Sequence, residues 1–399
     1  ARGCQGILYS VTVTSDGTAV SAADLDAILA SIFLTKDGKQ DPYPGYATVR
    51  EATPFHQSAF GLKVATRYDD VNAILRDNRF GRGDAAIDPS VFGLTKEAFD
   101  ERFPGAFEFN GSMLSMDPPD HTRLRGLVAK AFTPRTVEQL KPEIQRLTDG
   151  FLDLLDGDVD LMDALALRLP INVISEMLGV PNEDHEQLRA WTSAAVAALD
   201  PNDNVMALTP AADALRAMRT YFDRLVETRR HDLGDDLLSG MIAAEDEGDR
   251  LSHDELLDTT LLLFAAGHET TVNLISGGML NLLRHPRELQ RLQADPSLIG
   301  IAVEELLRFG PPVQFTARTT TTDVEVAGKQ LPPGSELIVM IAAANRDPAV
   351  FEDPDGLDIG REENRHLSFG GGIHHCLGAP LARVEGQEAI GRLVRRFPG

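Results

Sequence analysis

The segment from Ser252 to His285, SHDELLDTTLLLFAAGHETTVNLISGGMLNLLRH, most narrows what this chain can become. Ser252 and Glu255 stand at capping-box spacing, and from there the residues are apolar almost all round through Phe264. That pattern predicts a buried helix. Yet Gly267, His268, Glu269, Thr270 and Thr271 fall in its middle, where glycine costs about 1 kcal/mol relative to alanine and buried polar groups cost more unless paired. Such a violation of good helix building usually marks a site. Read alone, the segment also allows His268 and Glu269 on a solvated face, with Thr270 bonded back to a carbonyl.

Helical periodicity dominates from Pro118 to His285, with amphipathic runs over Pro142 to Leu155, Asp184 to Leu199 and Ala211 to His231. Strand-like alternation is confined to Lys63 to Thr66, Thr322 to Val326 and Glu336 to Ala342. The expected fold is mainly α with a small β region. With no internal repeat, low-complexity tract or long linker, 399 residues of which 43% are hydrophobic read as a single globular domain. The irregular stretch from Gly81 to Pro119 carries Phe92, Phe99, Phe103, Phe107, Phe109 and Met113, and is read as a lid.

Lys plus Arg total 38 against 61 for Asp plus Glu, and the net charge of −23 argues against broad binding to nucleic acid or anionic membrane. The most apolar runs, Leu261 to Ala266 and Leu337 to Ala344, are too short for a membrane span. The N-terminal residues do not form a convincing secretory signal, and Cys4 and Cys376 are too few for a disulfide framework, which fits a cytoplasmic location.

Three further stretches carry chemistry. In SLIGIAVEELLRFGPP, Glu305 and Arg308 share one helix face; in DPPDHTRLR, His121 and Arg125 do the same. In LSFGGGIHHCLGAPLAR, Cys376 follows three glycines and two histidines. Adjacent histidines beside one cysteine cannot all reach a tetrahedral zinc centre, and no second ligand pair exists. A Cys-His nucleophile stays open. An axial haem ligand makes sense, since glycines let the loop lie against a flat macrocycle and backbone N–H groups can bond the sulfur.

Phe369 to Gly378, FGGGIHHCLG, resembles the haem-binding signature F-G-x-G-x-H-x-C-x-G of the cytochrome P-450 superfamily, with every position filled. Ala266-Gly267-His268-Glu269-Thr270 resembles that family's oxygen-activating A-G-x-[DE]-T, and Glu305 to Arg308 its E-x-x-R, in the expected order. His121 with Arg125 matches H-x-x-x-R, Arg318 and His374 match further propionate contacts, and Arg361 matches the arginine that completes the E-x-x-R network. The resemblance covers roughly Asp41 to Gly399. Residues 1–40 match no family pattern, and 41–399 are read as a catalytic domain lacking the family's C-terminal β region.

The resemblance implies the cytochrome P-450 fold, with a helix-rich and a sheet-rich lobe. It implies a haem b monooxygenase that uses dioxygen and two externally supplied electrons to hydroxylate or epoxidise an apolar small molecule, such as a terpenoid, macrolide, steroid or fatty acid. Cys376 would be the axial iron ligand. Glu269 would relay protons, Thr270 would bond the activated oxygen and Gly267 would leave it room. His121, Arg125, Arg318 and His374 would bind the propionates, with Phe369, Gly370, Gly378 and Ala266 against the cofactor. Glu305, Arg308 and Arg361 would hold the scaffold of the haem loop. Leu262, Ala266, Val313 and Phe315 would line the substrate pocket.

Electrons would come from a ferredoxin and its reductase, with Arg123 and Lys130 as docking candidates on a monomer. Competing readings are a haem-binding sensor or carrier, a peroxide-driven or isomerase haem enzyme, and the Cys-His hydrolase.

Overall fold

The computed structural model describes residues 12–13, 19–59, 61–82, 112–196, 208–246 and 251–398. In chain order its helices are α1 (Ala22–Leu34), α2 (Lys36–Gln40), α3 (Tyr43–Ala52), α4 (Tyr68–Arg76), α5 (Asp120–Val128), α6 (Pro134–Asp153), α7 (Arg168–Met177) and α8 (His185–Val196). These are followed by α9 (Leu208–Arg229), α10 (Leu237–Asp246), α11 (His253–Arg284), α12 (Pro286–Ala294), α13 (Ile299–Phe309), α14 (Ile341–Ala344) and α15 (Ala379–Arg396). The strands are β1 (Thr12–Val13), β2 (Ala19–Val20), β3 (Phe55–Gln57), β4 (Lys63–Ala65), β5 (Phe80–Gly81), β6 (Thr316–Thr320), β7 (Val324–Val326), β8 (Lys329–Leu331) and β9 (Glu336–Val339).

The predicted buried helix is α11, 32 residues and so about 48 Å long. Its capping box closes both ways: the Ser252 hydroxyl accepts the Glu255 N–H at 3.2 Å, and the Glu255 carboxylate accepts the Ser252 N–H at 2.9 Å. Every residue from Leu256 to Phe264 is buried, because α7, α8, α9, α13 and α15 pack around this helix. Phe264, fully buried against Phe222 of α9 at 5.6 Å between ring centroids, contributes about 2–3 kcal/mol by burial alone.

The smaller lobe is built on a sheet of order β3-β4-β9-β6-β5. Strand β9 pairs in parallel with β4 and antiparallel with β6, where Arg318 lies opposite Leu337. Side chains alternate along a strand, so Arg318 and Thr320 share the buried face of β6. Helix α1 belongs to this lobe too, because Leu25, Leu29 and Ile32 pack with Tyr46 and Val49 of α3 and with Val64 of β4.

Several expected boundaries move. Helix α6 starts at Pro134, capped by the Thr133 hydroxyl, and carries Pro142 inside it, so a proline expected to open a helix is tolerated in its interior. Helix α9 begins at Leu208 rather than Ala211, and the expected end of α8 at Leu199 lies outside the described residues. The strand expected over Glu336 to Ala342 stops at Val339, and Ile341–Ala344 turn into α14. Alternation breaks there because the run is apolar on both sides, and all four α14 residues are buried. Of the expected lid, residues 83–111 lie outside the described residues, as does Cys4, while Met113 is buried.

Candidate active site

Helix α15 starts one residue after Gly378, and the loop that feeds it folds back on itself. The Cys376 N–H donates to the Phe369 carbonyl at 2.8 Å. Gly370 and Gly372 have φ of 68° and 63°, the left-handed region that favours glycine. A Cβ on Gly372 would lie 2.5 Å from the Leu75 carbonyl oxygen, and one on Gly371 would lie 3.3 Å from Leu75 Cβ. The middle glycines therefore seat the loop on the end of α4, which corrects the reading that they all serve contact with a macrocycle.

Cys376 is a free, exposed cysteine. Surrounding protein pushes its pKa up by desolvation, opposed by the backbone N–H groups of Gly378 and Ala379 and by the guanidiniums of Arg125 and Arg383. The positive end of α15 adds to that opposition. Arg125 does not stand free beside His121: it donates to the His375 carbonyl at 2.6 Å and so straps α5 to the cysteine loop. Phe369 stacks beneath the Arg383 guanidinium at 4.5 Å.

On the α5 side, His121 and His374 bring their rings within 4.3 Å of each other. Both ring nitrogens of His121 and the Nε2 of His374 are buried and find no partner among the described residues. Burial and nearby cations push His374 down to about 3, and burial lowers His121, so both imidazoles stand neutral. Arg318, buried on β6, is pushed down to about 9 by desolvation and then by Arg82.

Arg82 is the residue that sequence reasoning missed. It follows β5, donates its N–H to both Asp117 carboxylate oxygens at 3.0 Å, and leaves a buried Nε without a partner among the described residues. Its signal in the sequence is only a basic residue after Phe80 and Gly81, which nothing local singles out. Arg82, Arg125 and Arg318 against Asp117 leave two positive charges beside orphaned imidazoles. Buried cations and unfilled donors of this kind fit a group carrying two carboxylates, which is what haem presents at its edge.

The E-x-x-R pair is fully buried and bidentate, Arg308 Nε and one terminal nitrogen each 2.8 Å from a Glu305 oxygen. The remaining Arg308 donors reach the carbonyls of Asn345 at 3.0 Å, Pro354 at 2.7 Å and Gly356 at 3.0 Å. Glu305 also accepts from Arg361 Nε at 3.1 Å, Asn364 at 3.1 Å and the Asp358 N–H at 3.0 Å. Neither charge is left unsatisfied, the condition under which a buried pair is tolerable.

Within α11, Thr270 Oγ1 donates to the Ala266 carbonyl at 2.8 Å. Glu269 is half-buried, raised by desolvation, and carries no ion pair among the described residues. His268 is fully buried, so the solvated-face reading fails for it. Gly267 faces α7: a Cβ there would lie 3.2 Å from Ile174 Cδ1, so this glycine lets the two helices approach closely.

The four expected substrate residues lie in different surroundings. Phe315 lines a groove of about 550 Å³ with Phe33, Tyr46, Asn273, Pro311 and Pro312, and stacks edge-on against Phe33 at 5.1 Å. Leu262 is buried in the helical core, Val313 is 40% exposed, and Ala266 is exposed on α11. Of the two docking candidates, Arg123 is engaged with Glu255 and Asp120, while Lys130 is exposed.

Residues 207–398 match the family model described as Cytochrome P-450. The chain is 42% identical to the cytochrome P-450 monooxygenase PikC of Streptomyces venezuelae, over 96% of this chain and 90% of that protein. It is 43% identical to the vitamin D(3) 25-hydroxylase of Pseudonocardia autotrophica, over 90% of this chain and 87% of that one. Ligand-free CYP164A2 of Mycobacterium smegmatis superposes with a TM-score of 0.83 at 38% identity, covering 93% of each chain. Family members hold haem b iron through a cysteine thiolate. Identity of this extent, on the same fold, means that the chain belongs to the cytochrome P-450 monooxygenases.

Proposed function

We propose that this monooxygenase hydroxylates or epoxidises an apolar secondary metabolite, in the cytoplasm, with electrons delivered by a ferredoxin and its reductase. The observation that carries the site assignment is the thiol of Cys376 beside Arg125, with Arg82 and Arg318 gathered around His374 and the orphaned nitrogens of His121 and His374 next to them. Cys376 would hold the iron as thiolate, steadied by the Gly378 and Ala379 N–H groups. His121, His374, Arg318 and Arg82 would take the two propionates, and Arg125 would tie that grip to the cysteine loop. When bound, haem supplies the reductive activation of dioxygen, one oxygen atom passing to substrate and the other leaving as water.

The protein's own part is to bind, to orient and to move protons. Burial raises Glu269, so its carboxyl holds a proton closer to neutral pH than an exposed glutamate does and is suited to relay one. Thr270 rests on the Ala266 carbonyl and can turn its hydroxyl toward a bound group by giving up that one bond, with the helix's own N–H to C=O ladder intact. A pure haem carrier has no use for this pair, which favours the oxygenase reading over a sensor. Apolar substrate is supported by Phe315 and Pro311 to Pro312 in the groove, and by the hydroxylase of an apolar vitamin among the relatives.

The catalytic unit is read as extending back through α1, which supports the small sheet. The test is turnover with a bacterial ferredoxin pair over a panel of steroids, macrolides and fatty acids under heavy-isotope dioxygen. Product carrying one heavy oxygen atom supports the reading; oxidation with oxygen taken from water, or none with any apolar class, contradicts it.

A further inference from the structure

Pro170 gives the helix facing the polar step of α11 an unusual start. Proline has no N–H to offer the Ala166 carbonyl, so an α-helical ladder cannot run unbroken from Ala166 through Pro170. A π turn over Met162–Ala166, closed by the Leu167 N–H on the Met162 carbonyl at 2.9 Å, stands immediately before this helix. Turns of this kind recur at functional sites. This one packs directly on α11 and presents the Leu167 carbonyl to His268 Nε2 at 3.3 Å.

A carbonyl only accepts, so the imidazole proton sits on Nε2. Burial keeps the ring neutral, pushed down to about 4, and Nδ1 has no partner among the described residues. One residue earlier, Gly267 lets α11 come within Cβ distance of Ile174 on α7. Close approach at Gly267 and a directed bond at His268 therefore fix both the distance and the rotation of α11 at one point. Successive residues of a helix point 100° apart, so whatever fixes His268 also fixes where Glu269 and Thr270 point.

We propose that His268 is a positioning residue, whose bond to the Leu167 carbonyl holds α11 in the rotation that aims Glu269 and Thr270 into the cleft. The inference rests on the reading of those two residues as the proton-handling pair. It adds a role for the variable position between glycine and glutamate, and for Pro170 behind it.

The test uses the holoprotein, reduced and bound to carbon monoxide, whose C–O stretching band reports the groups that face the cleft. Thr270→Ala calibrates the probe. His268→Leu, similar in volume but without a donor, is expected to shift or split the band, and His268→Gln, which keeps a donor, to restore one band at the parent position. Hydrogen exchange over residues 160–172 is expected to rise about fivefold in His268→Leu, the ratio one ordinary hydrogen bond supports.

Pro170→Ala leaves His268 in place and returns the missing N–H, and is expected to move the band as well. It decides the matter should His268→Leu fail to accumulate as holoprotein. A parent-like band in His268→Leu or in Pro170→Ala, while Thr270→Ala moves it, overturns the positioning role. A band unmoved by Thr270→Ala overturns the proton-pair reading itself, and the inference with it.

Discussion

Asn345 accepts the Leu367 N–H on its side-chain oxygen at 2.7 Å, and its own carbonyl accepts from Arg308 at 3.0 Å. Its side-chain nitrogen donates to Ser368 Oγ at 2.9 Å, and Ser368 in turn donates to the Leu307 carbonyl at 2.7 Å. The ion pair on α13 is thereby wired, through one asparagine, to the residues just before the cysteine loop.

Replacing Asn345 by alanine leaves the buried Leu367 N–H without an acceptor, which costs about 1–3 kcal/mol. Chemical denaturation of the holoprotein should show that loss together with faster release of haem. Asn345→Asp keeps the acceptor but loses the donor to Ser368 and buries a charge, so it should recover little of it.

Glu305→Gln strips the charge that Arg308, Arg361 and Asn364 share, stranding a buried guanidinium at about 3–5 kcal/mol. Little holoprotein should accumulate, as measured by the ratio of haem absorbance to protein. Normal haem content in that variant would show that the network is not a folding requirement.

Arg82→Leu should speed transfer of haem to an apo-globin acceptor by about tenfold, the effect of losing one charge-assisted bond of 1.4 kcal/mol, with Arg82→Lys in between. Arg318→Leu should do at least as much, since its side chain is the more deeply buried. Parent-like transfer in Arg82→Leu would remove it from the propionate site.

Glu385 on α15 is 1% exposed with a buried oxygen that finds no partner among the described residues, and burial raises it from 4.5 to about 8. The folded state holds this proton more tightly than the unfolded chain, so stability should fall as pH rises from about 4.5 to about 8 and level off above that. Glu385→Gln should flatten this slope, which amounts to several kcal/mol at most. Equal pH dependence in the two proteins would show that Glu385 is not protonated in the native state.

Features written within a few neighbouring residues were legible in the sequence: the capping box of Ser252, the polar step in α11, the Glu305–Arg308 face and the signature around Cys376. Features that depend on distant partners were not. Asn345 and Ser368 matter because of bonds to residues 22 and 61 positions away, and no local pattern separates them from ordinary loop residues. Arg82 acquires its role only when β5 pairs with β6, bringing it to Arg318 from the far side of the chain. Gly267 reads as leaving room for dioxygen and Gly372 as lying against a macrocycle, because glycine signals close approach without saying to what; Ile174 and Leu75 are what these two approach.

The central claim is that Cys376 binds haem iron as a thiolate. Its most direct test is the absorption spectrum of the purified protein after reduction with dithionite and addition of carbon monoxide. A strongly red-shifted Soret band, lost in Cys376→Ala, is the predicted result. Haem bound without that shift, or a shift that survives in Cys376→Ala, would contradict it.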